Sequence, residues 1–291
     1  MVVISLELLT KAVISGMVLG GVYSLLAIGL TLITGVMRVM NFAHGDLMMI
    51  AMYVTFWLFA LFNINPFFSM TLVIPFLFLI GMFIQKFLIS PVRTPENQVL
   101  ITFGLAILLE NLALFLWSPD YRSIITPYTT ITIHFSHLDV GLIRFLTLIV
   151  ALVTSFSLHV FVTRTEMGKC IWALAQDPEA AMLVGIDIHK LRLITFGLAN
   201  ALVALAGIFL AQIYYIFPSL GLRFTIIAFI VVILGGFGSV GGALLGSFII
   251  GLTEALGGVF VGIGYKDVMV FIIFILILLF KPSGLFGKIR V

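Results

Sequence analysis

Residues 164–192 read RTEMGKCIWALAQDPEAAMLVGIDIHKLR, the longest run in the chain that cannot sit in hydrocarbon. It carries Arg164, Glu166, Lys169, Asp177, Glu179, Asp187, Lys190 and Arg192, and long apolar segments stand on both sides. A polar loop between apolar runs of about 20 residues is the pattern of a chain that crosses roughly 30 Å of hydrocarbon more than once. Within the run, Asp177 suits a helix N-cap and Pro178 the first helical position, and Glu179 sets negative charge at the positive helix end. Ala180, Ala181, Met182, Leu183 and Val184 continue for about two turns, and Gly185 is a natural stop. A helix this short is marginal in water by itself. Cap chemistry leaves two readings, an ordinary loop with a helical turn or a short helix that docks on a soluble partner.

Composition sets the class. The 291 residues are 62% hydrophobic and 9% charged, more apolar surface than a soluble domain of this length can hide. Apolar runs recur without the alternation of a membrane barrel. The expected fold class is therefore an all-α polytopic membrane protein, one membrane domain over 1–291, with about 8 transmembrane helices plus a re-entrant or broken-helix segment. The net charge of +3 comes from Lys and Arg gathered in a few loops, which reports orientation and not nucleic-acid binding. Cys170 is the sole cysteine, so no internal disulfide and no thiolate metal cluster is expected. The N-terminus lacks a basic region with a cleavage site and reads as the first span.

The first span lies within 3–33, where Gly16, Gly20 and Gly21 offer a small face for close helix packing. Residues 34–46, TGVMRVMNFAHGD, place Arg38, Asn41, His44 and Asp46 just before the next apolar run at Leu47. One reading is a turn capped by Asn41 and Asp46. The other is a broken helix whose backbone lines a cavity, the place where non-helical backbone is tolerated at membrane depth. Spans follow at 47–62 and 67–89, separated by the turn Asn63–Pro66, and at 98–117, which contains Glu110. A carboxylate inside an apolar helix is a functional candidate, unless it reaches water near the helix end. Residues 118–141 suggest a short hairpin or interfacial segment, and His134 and His137 are too isolated for a metal site. Spans are expected at 142–163, 193–216, to about 262 with Glu254 inside, and at 268–280. A half-length run at 224–235 ends in Gly235-Gly236-Phe237-Gly238-Ser239-Val240-Gly241-Gly242, the sign of a broken helix or of dense small-residue packing. Lys and Arg in the 86–93 loop, in 164–192 and in the tail with Lys281, Lys288 and Arg290 place those three segments in the cytoplasm. Counting back puts the N-terminus outside, and 118–141 on the face opposite 164–192.

Three motifs resemble one family. The run with Gly168, Lys169, Ala173, Ala175, Gln176, Asp177, Glu179, Ala180, Ala181, Gly185 and Ile186 is similar to the EAA-type loop of ABC importer permeases, and more narrowly to branched-chain amino acid permeases of the LivH type. Cys170 and Trp172 depart from that pattern, where a small residue and an arginine are expected. Met40-Asn41-Phe42-Ala43-His44-Gly45-Asp46 resembles the family's Asn-Phe-Ala-His-Gly motif, and 235–242 its Gly-rich run. The resemblance implies that Gly168, Lys169, Ala173, Asp177, Glu179, Ala180, Ala181 and Gly185 form an ATPase-coupling loop. It implies that Asn41, His44, Gly45, Asp46, Gly236, Gly238 and Ser239 belong to the translocation path, with no catalytic residue, no metal and no cofactor. The implied partners are two cytoplasmic ABC ATPase subunits, a second related permease as a hetero-dimer, a periplasmic or extracellular substrate-binding protein and the lipid bilayer. The implied place is the cell membrane.

The residues bear on the alternatives as well. No phosphate loop of the form G-x-x-x-x-G-K-[ST] is present, so ATP chemistry has to come from other subunits. A passive channel for a small neutral solute such as urea or an amide has no use for the 164–192 helix. For an intramembrane enzyme, Ser239 with His44 is the one imaginable nucleophile–base pair, and no third group accompanies it.

Overall fold

The computed structural model describes residues 6–37, 39–92, 94–135 and 138–286; Arg38, Arg93, His137, Lys288 and Arg290 lie outside the described residues. The chain opens with α1 (Leu6–Met37), α2 (His44–Phe62), α3 (Pro66–Ile84, prolonged by a π-turn Gln85–Ile89) and α4 (Pro95–Trp117). A hairpin of β1 (Thr132–Phe135) and β2 (Leu138–Gly141) leads into α5 (Leu142–Arg164). Two short helices, α6 (Glu166–Gln176) and α7 (Pro178–Leu183), precede α8 (Ile188–Leu210), α9 (Leu220–Gly235), α10 (Val240–Phe260) and α11 (Lys266–Phe280).

Local chemistry sets most of these ends. Asn63 closes α2 in the left-handed region at φ 53°, and Asn65 opens α3 by accepting the Phe67 N–H at 3.0 Å, with Pro66 at the first helical position. Among the described residues seven helices are long and apolar enough to cross a membrane: α1, α2, α3 with its π-turn, α4, α5, α8 and α10. About eight, with a further broken-helix segment, were expected from the sequence. The last apolar run forms α11 of 15 residues, about 22 Å, short of the roughly 30 Å core. The hairpin falls where a hairpin or interfacial segment was expected, with Thr132 opposite Gly141 and Phe135 opposite Leu138. The stretch before α7 was read as loop, and it is helical.

α1 and α8 are the most buried spans, while α3, α4 and α5 turn residues such as Phe68, Phe76, Phe115 and Phe156 outward. Apolar side chains facing out on every peripheral span are what lipid contact requires. The Gly16 and Gly20 face of α1 meets α10 with backbones nearly touching: a methyl on Gly251 would lie 2.4 Å from the Gly20 nitrogen. Two helices start inside the bundle. The chain leaves α1 at Met37 and turns back through the buried Val39 and Asn41, so that α2 begins beside the interior of α1. The 16-residue α9 begins against the first turn of α2.

Candidate functional site

α5 has the hairpin at one end and α6 at the other, so the hairpin and the α6–α7 segment lie on opposite faces of the bundle. The turn between α5 and α6 is built by Thr165, whose hydroxyl donates to the Phe161 carbonyl at 2.6 Å and accepts the Gly168 N–H at 3.0 Å. Gly168 has no room for a side chain: a methyl there would meet the Phe161 oxygen at 2.1 Å. α6 therefore folds hard against the end of α5, burying Gly168, Ile171 and Leu174 while Trp172 faces out. Lys169 is exposed and Ala173 half-buried on the same helix.

The cap chemistry read from 177–185 is present in full. Asp177 Oδ1 accepts the N–H groups of Glu179 at 2.9 Å and Ala180 at 3.1 Å. At the other end Gly185 takes φ 85°, its N–H bonds the Met182 carbonyl at 3.0 Å, and the Ile186 N–H bonds the Ala181 carbonyl at 3.1 Å. That pair of bonds is a Schellman motif, which satisfies the carbonyls a helix end leaves open. Ala181 is buried, whereas Glu179, Ala180 and Gly185 are exposed. Leu183 is 88% and Val184 76% exposed. α7 is thus a six-residue helix tied at both ends, with large apolar side chains exposed in the chain's most polar loop. Asp187 then caps α8 through the Lys190 N–H at 3.0 Å, so α7 joins α8 with two residues of slack after Gly185.

The other candidate residues divide into two places. Asn41, His44, Gly45 and Asp46 are buried where α2 begins. The His44 Nε2 lies 3.0 Å from the Leu26 carbonyl, and a carbonyl only accepts, so Nε2 carries the proton. Asn41 Oδ1 accepts the Ala43 N–H at 3.1 Å, and Thr225 of α9 accepts the Gly45 N–H at 2.9 Å. The Asp46 and Gly221 backbones pack together: a methyl on Gly221 would lie 2.8 Å from the Asp46 Cα. Gly236, Gly238 and Ser239 sit at the far end of α9, about 24 Å away for 16 residues. There Gly236 and Gly238 take φ 95° and 76°, and Ser239 caps α10 by accepting the Gly242 N–H at 3.1 Å. The two sets are separate clusters at opposite ends of one helix. Ser239 and His44 do not pair, since each is bonded to its own neighbours.

A cavity of about 510 Å³ opens between α1, α5 and the 211–219 loop, lined by Lys11, Ser15, Val22, Arg144 and Tyr214 among others. None of the seven path candidates lines it. Among the described residues no group of three or more His, Cys, Asp or Glu is placed to hold a metal.

One polar cluster escaped the sequence reading. Glu254, buried in α10, accepts the Tyr23 hydroxyl of α1 and the Lys266 ammonium of α11. The Arg223 guanidinium of α9 stands 3.7 Å from Glu254 and 3.8 Å from Asp267. Glu254 was visible as an intramembrane carboxylate, but its partners lie on three other helices. Glu110 is half-buried on α4.

This is the architecture of a multi-pass α-helical membrane protein with one helical arm outside the bundle. The sequence profile of the branched-chain amino acid transport system permease component matches residues 12–278. The high-affinity branched-chain amino acid transport permease BraD of Pseudomonas aeruginosa is 30% identical, over 96% of this chain and 95% of its own. The corresponding LivH of Escherichia coli is 30% identical over 94% of each. The probable LivH of Methanocaldococcus jannaschii is 32% identical over 97% of this chain and 95% of its own. No solved structure matches. The chain belongs to the branched-chain amino acid transport system permease family, and is a transport subunit rather than an enzyme.

Proposed function

We propose that this chain is the membrane-spanning permease of an ABC importer in the cell (inner or plasma) membrane, carrying branched-chain or related small amino acids. ATP is hydrolysed on two separate cytoplasmic subunits that grip α7. The observation that carries the reading is the doubly capped α7, with Leu183 bare at its end and Val184 bare just past it. The relatives' transport of branched-chain amino acids supplies the substrate class. A second, different permease completes the path, and a periplasmic or extracellular binding protein delivers substrate to the hairpin face. The basic segments around Lys86, Lys169 and Lys281 support a cytoplasmic α7 and C-terminus, with the N-terminus outside.

The geometry supports a route for the stroke. α7 is joined to α8 by a short capped link, and α8 runs through the centre of the bundle. There its backbone touches α1 at Gly29, where a methyl would lie 2.9 Å from the Ala199 oxygen, and α2 at Gly207, where a methyl would lie 2.8 Å from the Met48 oxygen. Packed backbones move together as rigid bodies. A push on α7 thus reaches the point where α2 and α9 begin, the broken-helix region suited to alternating access.

Asp177→Ala is expected to remove the two cap bonds and cost about 1 kcal/mol of local helix stability. The checking measurement is ATPase activity of the reconstituted complex, which should respond less to substrate-loaded binding protein while the permease still folds. Undiminished stimulation would count against α7 as the coupling element. Purification from native membranes in mild detergent is expected to bring along two ATPase polypeptides and a second permease. A chain that comes alone and passes urea into liposomes without ATP would instead be the passive channel.

A further inference from the structure

The end of α3 and the start of α8 enclose a pocket of about 190 Å³ lined by Gln85, Lys86, Ser90, His189, Arg192 and Leu193. Lys86 and Arg192 are cations, and no carboxylate stands among the described lining residues. Lys86 and Gln85 come from the π-turn Gln85–Ile89, a helix distortion that concentrates at functional sites. Two buried polar atoms are left without partners here. Gln85 is 3% exposed with Oε1 unpaired, and the Arg192 Nε is buried and unpaired. Buried polar atoms are almost always bonded, so an orphaned acceptor and an orphaned donor in one basic pocket point to something that fills it. On the same helix end as Lys86, outside the pocket lining, Phe83 and Phe87 are both exposed, their ring centroids 4.7 Å apart, and the Lys86 ammonium lies 5.2 Å from the Phe87 centroid.

We propose that this pocket binds the phosphate headgroup of an anionic phospholipid, whose acyl chains lie along Phe83 and Phe87. Arg192 donates its Nε–H to a phosphate oxygen, Lys86 supplies a second positive charge, and Ser90 donates its hydroxyl. Gln85 Oε1 accepts from a headgroup hydroxyl such as that of phosphatidylglycerol. Basic pockets between membrane helices on the cytoplasmic side select such headgroups. A free phosphate offers the same oxygens, but the exposed Phe83 and Phe87 on the helix that carries Lys86 offer an apolar surface next to the pocket that only the acyl chains of a lipid would use, which is why the lipid is favoured. The pocket volume takes a headgroup and leaves the chains outside. The proposal does not depend on what the permease transports.

The test uses the full-length permease, with any subunits that purify with it, in phosphatidylcholine nanodiscs containing phosphatidylglycerol in both leaflets. Native mass spectrometry then counts the lipid retained. Wild type is expected to keep one phosphatidylglycerol selectively. Lys86→Gln and Arg192→Gln should each weaken retention about fivefold, and together roughly 25-fold. Lys190→Gln, which removes a neighbouring cation outside the pocket, should leave retention unchanged. Should Arg192→Gln not fold, Lys86→Gln on an exposed side chain carries the test. Equal retention of phosphatidylcholine, an undiminished double variant, or equal loss in Lys190→Gln would each overturn the proposal. Displacement by millimolar inorganic phosphate would also overturn it, in favour of a free-anion site.

Discussion

Gly45→Ala is expected to lower the melting temperature of the purified permease by roughly 6–12 °C, the equivalent of about 3 kcal/mol. The added methyl would lie 2.0 Å from the Gly221 oxygen, 2.5 Å from the Thr225 hydroxyl oxygen and 2.8 Å from the Thr225 nitrogen. Two of these are backbone atoms in the first two turns of α9, so no rotamer change relieves the clash. The chain can respond only by separating α2 from α9, which breaks the bond from the Gly45 N–H to Thr225. In a membrane, helices are held by this kind of close approach and not by a hydrophobic drive between them, so the loss is not recovered elsewhere. Gly104→Ala is the matched control, because nothing lies within 4 Å of a methyl at that position. If Gly45→Ala melts together with Gly104→Ala and wild type, the head-to-head start of α2 and α9 is wrong.

Glu254→Leu should cost about 3 kcal/mol, the low end for breaking a buried ion pair. The Glu254 side chain is 4% and that of Lys266 28% exposed, so Lys266 keeps some access to solvent, which sets the low end. The variant strands the Lys266 ammonium and the Tyr23 hydroxyl, and it leaves Arg223 with Asp267 alone. Removing both charges in Glu254→Leu/Lys266→Leu is expected to restore most of the lost stability, since a well-packed apolar pair avoids the desolvation of two charges. Tyr23→Phe should fall between, at about 1.5–3 kcal/mol for a hydrogen bond to a charged group. Melting curves of the three variants decide the matter. A double variant no better than Glu254→Leu alone would show that the carboxylate is needed for something other than neutralising Lys266.

Much of the arm outside the bundle was legible in residues 177–187, because a cap is a matter of neighbours. Asp177 reaches two N–H groups within three residues, and Gly185 and Ile186 reach carbonyls within five. α6 was missed, although Gly168, Ile171 and Leu174 already stand at helical spacing. Its polar content and its place between two spans pointed to loop, and what makes it a helix is the face that α5 offers it. The candidate path residues were found by motif, but their distribution was not. Nothing in the motifs says that α9 separates Gly236, Gly238 and Ser239 from Asn41, His44, Gly45 and Asp46.

By itself, the sequence determined that the chain is an all-α membrane protein, roughly where its spans lie, and how the helix at Pro178–Leu183 begins and ends. Each of these depends on the hydropathy of a window or on bonds between near neighbours. Only the tertiary structure decided that α2 and α9 meet at Gly45 and Gly221, and that Glu254 answers Tyr23 and Lys266. Membrane helices are predominantly apolar all round, and the few polar residues of α1 and α9 do not gather on one face. They carry no polar stripe to say which face turns inward, so their partners are chosen by shape, at the glycines and the few buried polar groups, once the whole bundle is assembled.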